Sequence, residues 1–321
     1  MAHAHHRKIM ERLGRRMSPQ KVSEELKRRR TKIRFHRITD ELVEDSPEFF
    51  ESPEFKRLRK NSQVRGFIRD FWEWNEKVLW LLNSTSHPYI ELQEQLAKMV
   101  SPYLGETLVD LGCGAGNFCA RLFETNGHQV KKIFAVDIDW KSLSQVPQTL
   151  KDSGYRQGVA LVQSSTMSEL PIWNNSADCV VSSLGGIMYA GWWFENGEIV
   201  CDSKKALLRC LADINRVLKP GGYLAVSSPG PNPDWGAVLR DSLWYLIKNF
   251  NLKGLYRALS GGFKAKKLSA FMNQVEQEGH AHYLSVDDWQ DLLKQSGFEL
   301  VESSSGQYYA KQGVIVVARK I

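Results

Sequence analysis

The stretch Leu108-Val109-Asp110-Leu111-Gly112-Cys113-Gly114-Ala115-Gly116-Asn117-Phe118 decides how this 321-residue chain is read. Four residues that suit a buried strand run straight into a glycine-rich turn, and a helix opens behind it. Glycines permit positive φ and let a ligand lie directly on the backbone, while the first turn of the helix offers unpaired N–H groups. Something is held closely at this turn. A G-x-G pattern alone is weak, because dinucleotide sites use a similar turn. Here, however, Asn117 stands where a dinucleotide fingerprint wants its third glycine, and the glycine falls one place earlier. The next apolar run ends Phe134-Ala135-Val136-Asp137, which sets a carboxylate 21 residues past Gly116, placed to accept hydrogen bonds from both hydroxyls of a ribose.

Outward from the turn, short apolar runs alternate with helical stretches at 107–111, 132–137, 159–163, 179–183 and 223–228, then at 298–303 and 313–318. This pattern predicts an α/β fold, a doubly wound, mainly parallel sheet of seven strands covered on both faces. The last two runs are separated only by Ser304-Ser305-Gly306-Gln307, too short for a crossover helix, so they are expected to close the sheet as an antiparallel hairpin. Nearly seventy residues separate the fifth and sixth runs. Val238, Leu239, Leu243, Leu246, Ile247 and Phe250 recur there at helical spacing, which predicts a helical cap inserted at about 231–284 ahead of a crossover helix at about 285–296.

Upstream, Pro88 opens an expected helix over 88–101 with Ile90, Leu92, Leu96, Met99 and Val100 as its apolar positions. Residues 67–82 crowd aromatic and aliphatic side chains suited to packing, and Ser46-Pro47-Glu48 and Ser52-Pro53-Glu54 read as two further helix starts. The chain thus divides into a basic tail at 1–36, a helical extension at 37–104 and a main domain at 105–321. Residues 1–36 carry twelve Lys or Arg against three Glu, whereas the remaining 285 hold 31 basic and 33 acidic side chains. The net charge of +7 therefore belongs to the tail, which reads as a solvated, partly disordered segment or a short basic amphipathic helix. Such a tail could rest on an anionic membrane or on nucleic acid. No apolar run approaches the roughly 18 residues of a membrane span, and five cysteines without ligand spacing fit a reduced, cytoplasmic setting with no metal site, the tail leaving a membrane-peripheral one open.

The motifs together resemble the class I S-adenosylmethionine-dependent methyltransferase family, in the branch acting mostly on small molecules. The resemblance rests on Asp110 to Gly116, on Val136-Asp137-Ile138-Asp139, on Asp213-Ile214-Asn215-Arg216-Val217-Leu218-Lys219-Pro220-Gly221-Gly222, and on Tyr283-Leu284-Ser285-Val286-Asp287-Asp288-Trp289 ahead of Ser296-Gly297-Phe298. It implies S-adenosylmethionine as cofactor. Asp110 would hold the methionine end, Gly112, Cys113, Gly114 and Gly116 would let the cofactor approach, Asp137 would bind the ribose, and Ile138 would pack on adenine, with Thr166, Met167 and Ser183 completing the site. Family members often carry an acidic residue before a Leu-Pro pair to hold the adenine amino group. Here Leu170-Pro171 follows Ser165-Thr166-Met167, so Thr166 or a backbone carbonyl takes that place.

For the acceptor, absences narrow the field. After the fourth run the chain reads Ser182-Ser183-Leu184-Gly185-Gly186-Ile187-Met188-Tyr189, with neither the Asn/Asp-Pro-Pro-Tyr pattern of amino-methylating relatives nor a Pro-Cys nucleophile. Tyr189, Trp192 and Trp193, with Trp235 from the cap, are expected to line a pocket for a small apolar or aromatic acceptor methylated on oxygen or carbon. His280 and His282, where the cap rejoins the domain, are the candidate general bases, set against a plain surface histidine pair. Two other readings stand beside this one: an RNA or protein methyltransferase that uses the basic tail, and a non-catalytic binding protein that retains the fold.

Overall fold

The computed structural model describes residues 32–37 and 86–321, apart from 126–127, 165, 167–168, 196–197, 252–271, 274–275 and 278. Its centre is an eight-stranded sheet in the order β1-β4-β3-β2-β5-β8-β10-β9. The strands are β1 (Lys32–Arg37), β2 (Thr107–Leu111), β3 (Lys132–Asp137), β4 (Gly158–Gln163), β5 (Ala177–Ser183), β8 (Leu218–Pro229), β9 (Phe298–Ser305) and β10 (Gly313–Lys320). A separate small hairpin is formed by β6 (Trp193–Glu195) and β7 (Glu198–Val200). The five strands β4, β3, β2, β5 and β8 run parallel, whereas β10 pairs antiparallel with both β8 and β9, and β1 pairs antiparallel with β4.

Burial on both faces explains the unbroken apolar runs of the parallel strands. Along β2 to β5 successive side chains alternate between two cores. Val109, Leu111, Phe134, Val136 and Val180 face α5 (Ser203–Val217) and α7 (Val286–Gln295), whose Leu211, Ile214, Trp289 and Leu293 fill that layer. Leu108, Ile133, Ala135, Cys179 and Val181 face the other way, onto Leu92, Leu96 and Val100 of α1 (His87–Val100) and Phe118 and Leu122 of α2 (Asn117–Thr125). The helices start where local chemistry directs. Pro88 sits in the first turn of α1, and Ser285 and Asp288 form a reciprocal capping box at the head of α7. Between β3 and β4 run α3 (Trp140–Leu143), capped by the Asp139 carboxylate, and α4 (Val146–Asp152). The cap contributes α6 (Trp235–Lys248), whose N-terminus is closed by Asp234.

All seven expected strands form, and three features depart from the sequence reading. Lys32–Arg37 is an edge strand rather than the end of a disordered or helical tail; its basic residues masked a Lys-Ile-Arg-Phe-His-Arg alternation that pairs along β4 from Lys32↔Gln163 to Arg37↔Gly158. The final hairpin turns at residues 306–312 rather than 304–307, with Tyr309, Ala310 and Lys311 all in the left-handed region. The β6–β7 hairpin falls where only an aromatic cluster was expected. Residues 1–31, the two helix starts at 46–54 and the aromatic stretch 67–82 lie outside the described residues, as does the middle of the inserted cap. No described helix is long and apolar enough to cross a membrane.

The stretch from Asp213 to Gly222 works as a set of staples. Arg216 reaches out of α5 to donate to the carbonyls of Leu170 (2.9 Å) and Ile172 (2.8 Å) and to the Asp213 carboxylate (2.6 Å), while Asp213 accepts from the Leu170 N–H (2.6 Å). Asn215 donates to the carbonyls of Ser296 and Gly297, and Lys219 binds Asp178, whose second oxygen accepts from the Thr107 N–H. These bonds fasten the segment before β5 and the entries to β9 and β2. Arg216→Met is expected to destabilise the protein by about 1–3 kcal/mol in urea unfolding, and Arg216→Lys to restore less than half of that, because one ammonium cannot reproduce the planar fork.

Candidate functional site

The chain moves from β2 outward to β3 and β4 and then returns to β5 on the other side of β2. The C-terminal ends of β2 and β5 therefore form a topological switch point, where open α/β sheets bind ligands. Two glycine segments meet there. Gly112 (φ +74°) leaves β2 with its Cα pressed on the loop after β5, and a Cβ on it would lie 2.2 Å from the Gly186 nitrogen. A Cβ on Gly185 would lie 2.8 Å from the Gly112 carbonyl oxygen. No side chain fits at this crossing. Gly114 (φ +53°) differs: a Cβ there meets nothing within 4 Å, so the turn opens on this side to a space that can take a ligand. Gly116 (φ +84°) backs onto Val146 of α4.

Two carboxylates flank the open side. Asp110, in β2, is 1% exposed and accepts a hydrogen bond from the Cys119 thiol of α2 at 3.1 Å. Burial pushes its carboxyl up to about 7; the thiol bond opposes that shift and the nearby Asp137 adds to it. Asp137, at the end of β3, accepts from the Gly114 N–H (2.8 Å) with one oxygen and from the Asp139 N–H (2.9 Å) with the other, and so holds the glycine turn in shape. Burial raises it to about 6 against those two bonds. The charged groups that raise the pair are carboxylates, Asp137 acting on Asp110 and Asp139 acting on Asp137, so a cationic ligand would relieve an electrostatic cost the protein carries. That fits a sulfonium with an amino-acid ammonium. Among the remaining cofactor candidates, Cys113 and Ile138 are buried beside the turn, Thr166 donates to the Gly186 carbonyl (3.1 Å), and Ser183 closes β5 next to Ser227 (3.4 Å); Met167 lies outside the described residues.

The residues expected to face an acceptor lie beyond β5 and on the segment that returns from the cap. A 3₁₀ turn, Gly186–Tyr189, follows that strand, and the chain returning from the cap at 279–283 is pressed onto it. Gly191 allows the approach, since a Cβ there would lie 2.6 Å from the Gly279 oxygen. His282 is pinned twice, its N–H donating to the Met188 carbonyl (2.8 Å) and its Nε2 meeting the Ala190 carbonyl (2.9 Å). A carbonyl can only accept, so Nε2 carries the proton, and burial holds the ring below its usual pKa. His280 is 5% exposed and stands edge-on to Trp192, with centroids 5.0 Å apart. The surface histidine pair of the sequence reading is therefore corrected: both rings are interior. Trp192 and Trp193 are buried, Trp193 with the Arg209 guanidinium 5.3 Å from its ring, and Trp235 packs edge-on to Tyr283 at 5.7 Å.

Sequence reasoning missed Cys119, Gly185, Gly186 and the tyrosines Tyr89, Tyr283 and Tyr309. Gly185-Gly186 was visible as a pair, but its role depends on strand order. The tyrosines come from helix α1, from the returning cap and from the last turn, and no spacing links them.

A family model described as a methyltransferase domain matches residues 104–297. The bifunctional biotin biosynthesis protein BioHC of Teredinibacter turnerae is 30% identical over 150 residues, covering 46% of this chain and 23% of that protein. The probable pectin methyltransferase QUA2 of Arabidopsis thaliana is 35% identical over 127 residues, 40% of this chain and 15% of that one. The chain thus spans less than a quarter of the length of either relative. A solved S-adenosylmethionine-dependent methyltransferase from Aquifex aeolicus overlays at a TM-score of 0.44 with 15% identity, covering 74% of this chain and 93% of that one.

Two expectations follow from the turn. Gly112→Ala disrupts the crossing and lowers the melting temperature, whereas Gly114→Ala, strained only by its φ, has the smaller effect on melting and the larger on ligand binding; scanning calorimetry beside ligand titration separates them. Asp110 and Asp137 are raised above their unfolded values, so the native state binds the extra protons and stability falls as pH climbs from about 4 through about 7. Asp110→Asn is expected to flatten that decline in the ligand-free protein between pH 5 and 8, read as melting temperature against pH.

Proposed function

This chain belongs to the methyltransferase-domain family, of the class I S-adenosylmethionine-dependent type, and from that premise we propose that it methylates a small apolar or aromatic acceptor on oxygen or carbon. The observation that carries the reading is the buried aromatic wall just beyond β5: Tyr189 ends the 3₁₀ turn that follows the strand, Trp192 and Trp193 are buried a few residues on, and Trp235 packs edge-on to Tyr283 of the segment pressed back onto that turn. S-adenosylmethionine supplies an electrophilic methyl group when bound at that turn. In this reading Asp110 faces the cationic methionine end, held in orientation by the Cys119 thiol, and Asp137 uses its remaining lone pairs for the ribose hydroxyls while it braces Gly114. Ile138 covers one face of the adenine, and Thr166 and the backbone around it border its edge.

Methyl transfer requires a nucleophile held in line at about 3 Å, and much of the rate can come from positioning in a water-excluded space. The buried wall serves both needs. His282 is the hinge of that wall rather than its base, because its Nε2 proton is committed to Ala190. His280, edge-on to Trp192, is the better placed of the two to take a proton.

Titration calorimetry with S-adenosylmethionine tests the cofactor assignment. Asp137→Ala is expected to weaken affinity about tenfold or more, and undiminished affinity removes the ribose role. A chain lacking residues 1–31, which keeps β1, is expected to retain methyl transfer to small aromatic acceptors. Methylation of RNA by the full chain that vanishes with this truncation would replace the small-molecule reading.

A further inference from the structure

The hydroxyl of Tyr283 is buried without a hydrogen-bond partner among the described residues, in a side chain 4% exposed. Such a group is costly to leave unmade, and its surroundings show what could complete it. Tyr283 follows the doubly pinned His282, whose partners Met188 and Ala190 bracket Tyr189, so the backbone sets these two tyrosines side by side. Tyr309 enters from the turn between β9 and β10 in a left-handed conformation (φ +57°). A Cβ placed on Gly313 would touch both Tyr309 Cβ (3.0 Å) and Leu92 Cδ1 (2.8 Å), which fixes Tyr309 against α1, where Tyr89 lies one turn before Leu92. The phenols form a chain: burial and then the neighbouring phenols Tyr189 and Tyr309 hold Tyr283 protonated, and burial and then Asp110 do the same for Tyr89. The row therefore runs from the returning cap to the carboxylates beside the glycine turn.

We propose that Tyr283 is a specificity-determining residue of the acceptor site, its hydroxyl bonding an uncharged oxygen, hydroxyl or carbonyl, on an aromatic acceptor walled by Tyr189, Tyr309, Tyr89 and Trp235. This rests on the small-acceptor reading above and narrows it. A phenol both donates and accepts, so it pairs with a neutral hydroxyl in either sense. The charged groups that act on the row argue against an anion: Asp110, Asp137 and Glu276 are acidic, and the Arg121 guanidinium beside Tyr89 already donates to Gln93 (3.0 Å) and pairs with Glu94 (3.7 Å). Removing the hydroxyl breaks no hydrogen bond among the described residues, so its loss is read in acceptor binding.

The full chain loaded with S-adenosylhomocysteine is titrated at pH 7.5 with catechol, benzoate and phenethylamine, and the same compounds are offered with methyl-labelled S-adenosylmethionine. Catechol is expected to bind about tenfold tighter than either ion. Tyr283→Phe is expected to lose about tenfold in catechol affinity, seen as KM with kcat nearly constant, while S-adenosylhomocysteine affinity and melting temperature hold at wild-type values or above. Tighter binding of benzoate or phenethylamine overturns the proposal, as does wild-type catechol affinity in Tyr283→Phe. Failure of every ring compound to bind the loaded protein overturns the small-acceptor reading and this proposal with it, whereas ring compounds bound without regard to their hydroxyls overturn the Tyr283 assignment alone.

Discussion

The contact between Gly112 and the Gly185-Gly186 loop is the constraint around which the rest of this protein is arranged. It brings together two segments about seventy residues apart, at the point where the sheet reverses its order, and it leaves no room for a β-carbon on either side. Everything chemical is measured from it. Asp110 precedes it by two residues in a strand packed on both faces, Asp137 braces the turn just beyond it, and the 3₁₀ segment that carries Tyr189 begins where it ends. A displacement of either loop would move the glycine turn and the 3₁₀ segment together.

The electrostatics of the site follow from the same packing. A carboxylate belongs poorly in the layer that Leu108, Ile133 and Cys179 share with α1 and α2, and the donor it finds there among the described residues is a thiol. Among the described residues neither the buried Asp110 nor the partly buried Asp137 has an ion-pair partner, a cost that makes sense where the missing charge arrives with a ligand. This local violation of core chemistry marks the site more sharply than its glycines do.

The parallel strands were legible because burial on both faces leaves no polar positions to interrupt their apolar runs, and the turn at Gly112 to Gly116 because glycine and strand end coincide. The edge strand Lys32–Arg37 was not, since four of its six residues are basic or histidine and its pairing partner lies over a hundred residues away. The role of Arg216 was hidden for a different reason. Its motif could be matched, but the carbonyls it holds belong to a segment that only the fold brings near. His280 and His282 looked like surface residues because nothing local reveals that the cap folds back onto residues 188–192. Tertiary closure wrote that part of the site, along with the tyrosines from three distant segments.

The distribution of thiols has a practical side. Cys113, Cys119, Cys179 and Cys210 are buried, and burial holds each of them in the protonated, unreactive form. Cys201, between β7 and the Asp202 cap of α5, is exposed. A thiol-selective dye at neutral pH therefore meets one address on the folded native chain, on the connection that leads from the aromatic hairpin into the helix stapled by Arg216. The protein comes with its own attachment point for a fluorescent reporter, and the moment the other four thiols begin to react is a direct clock for its unfolding.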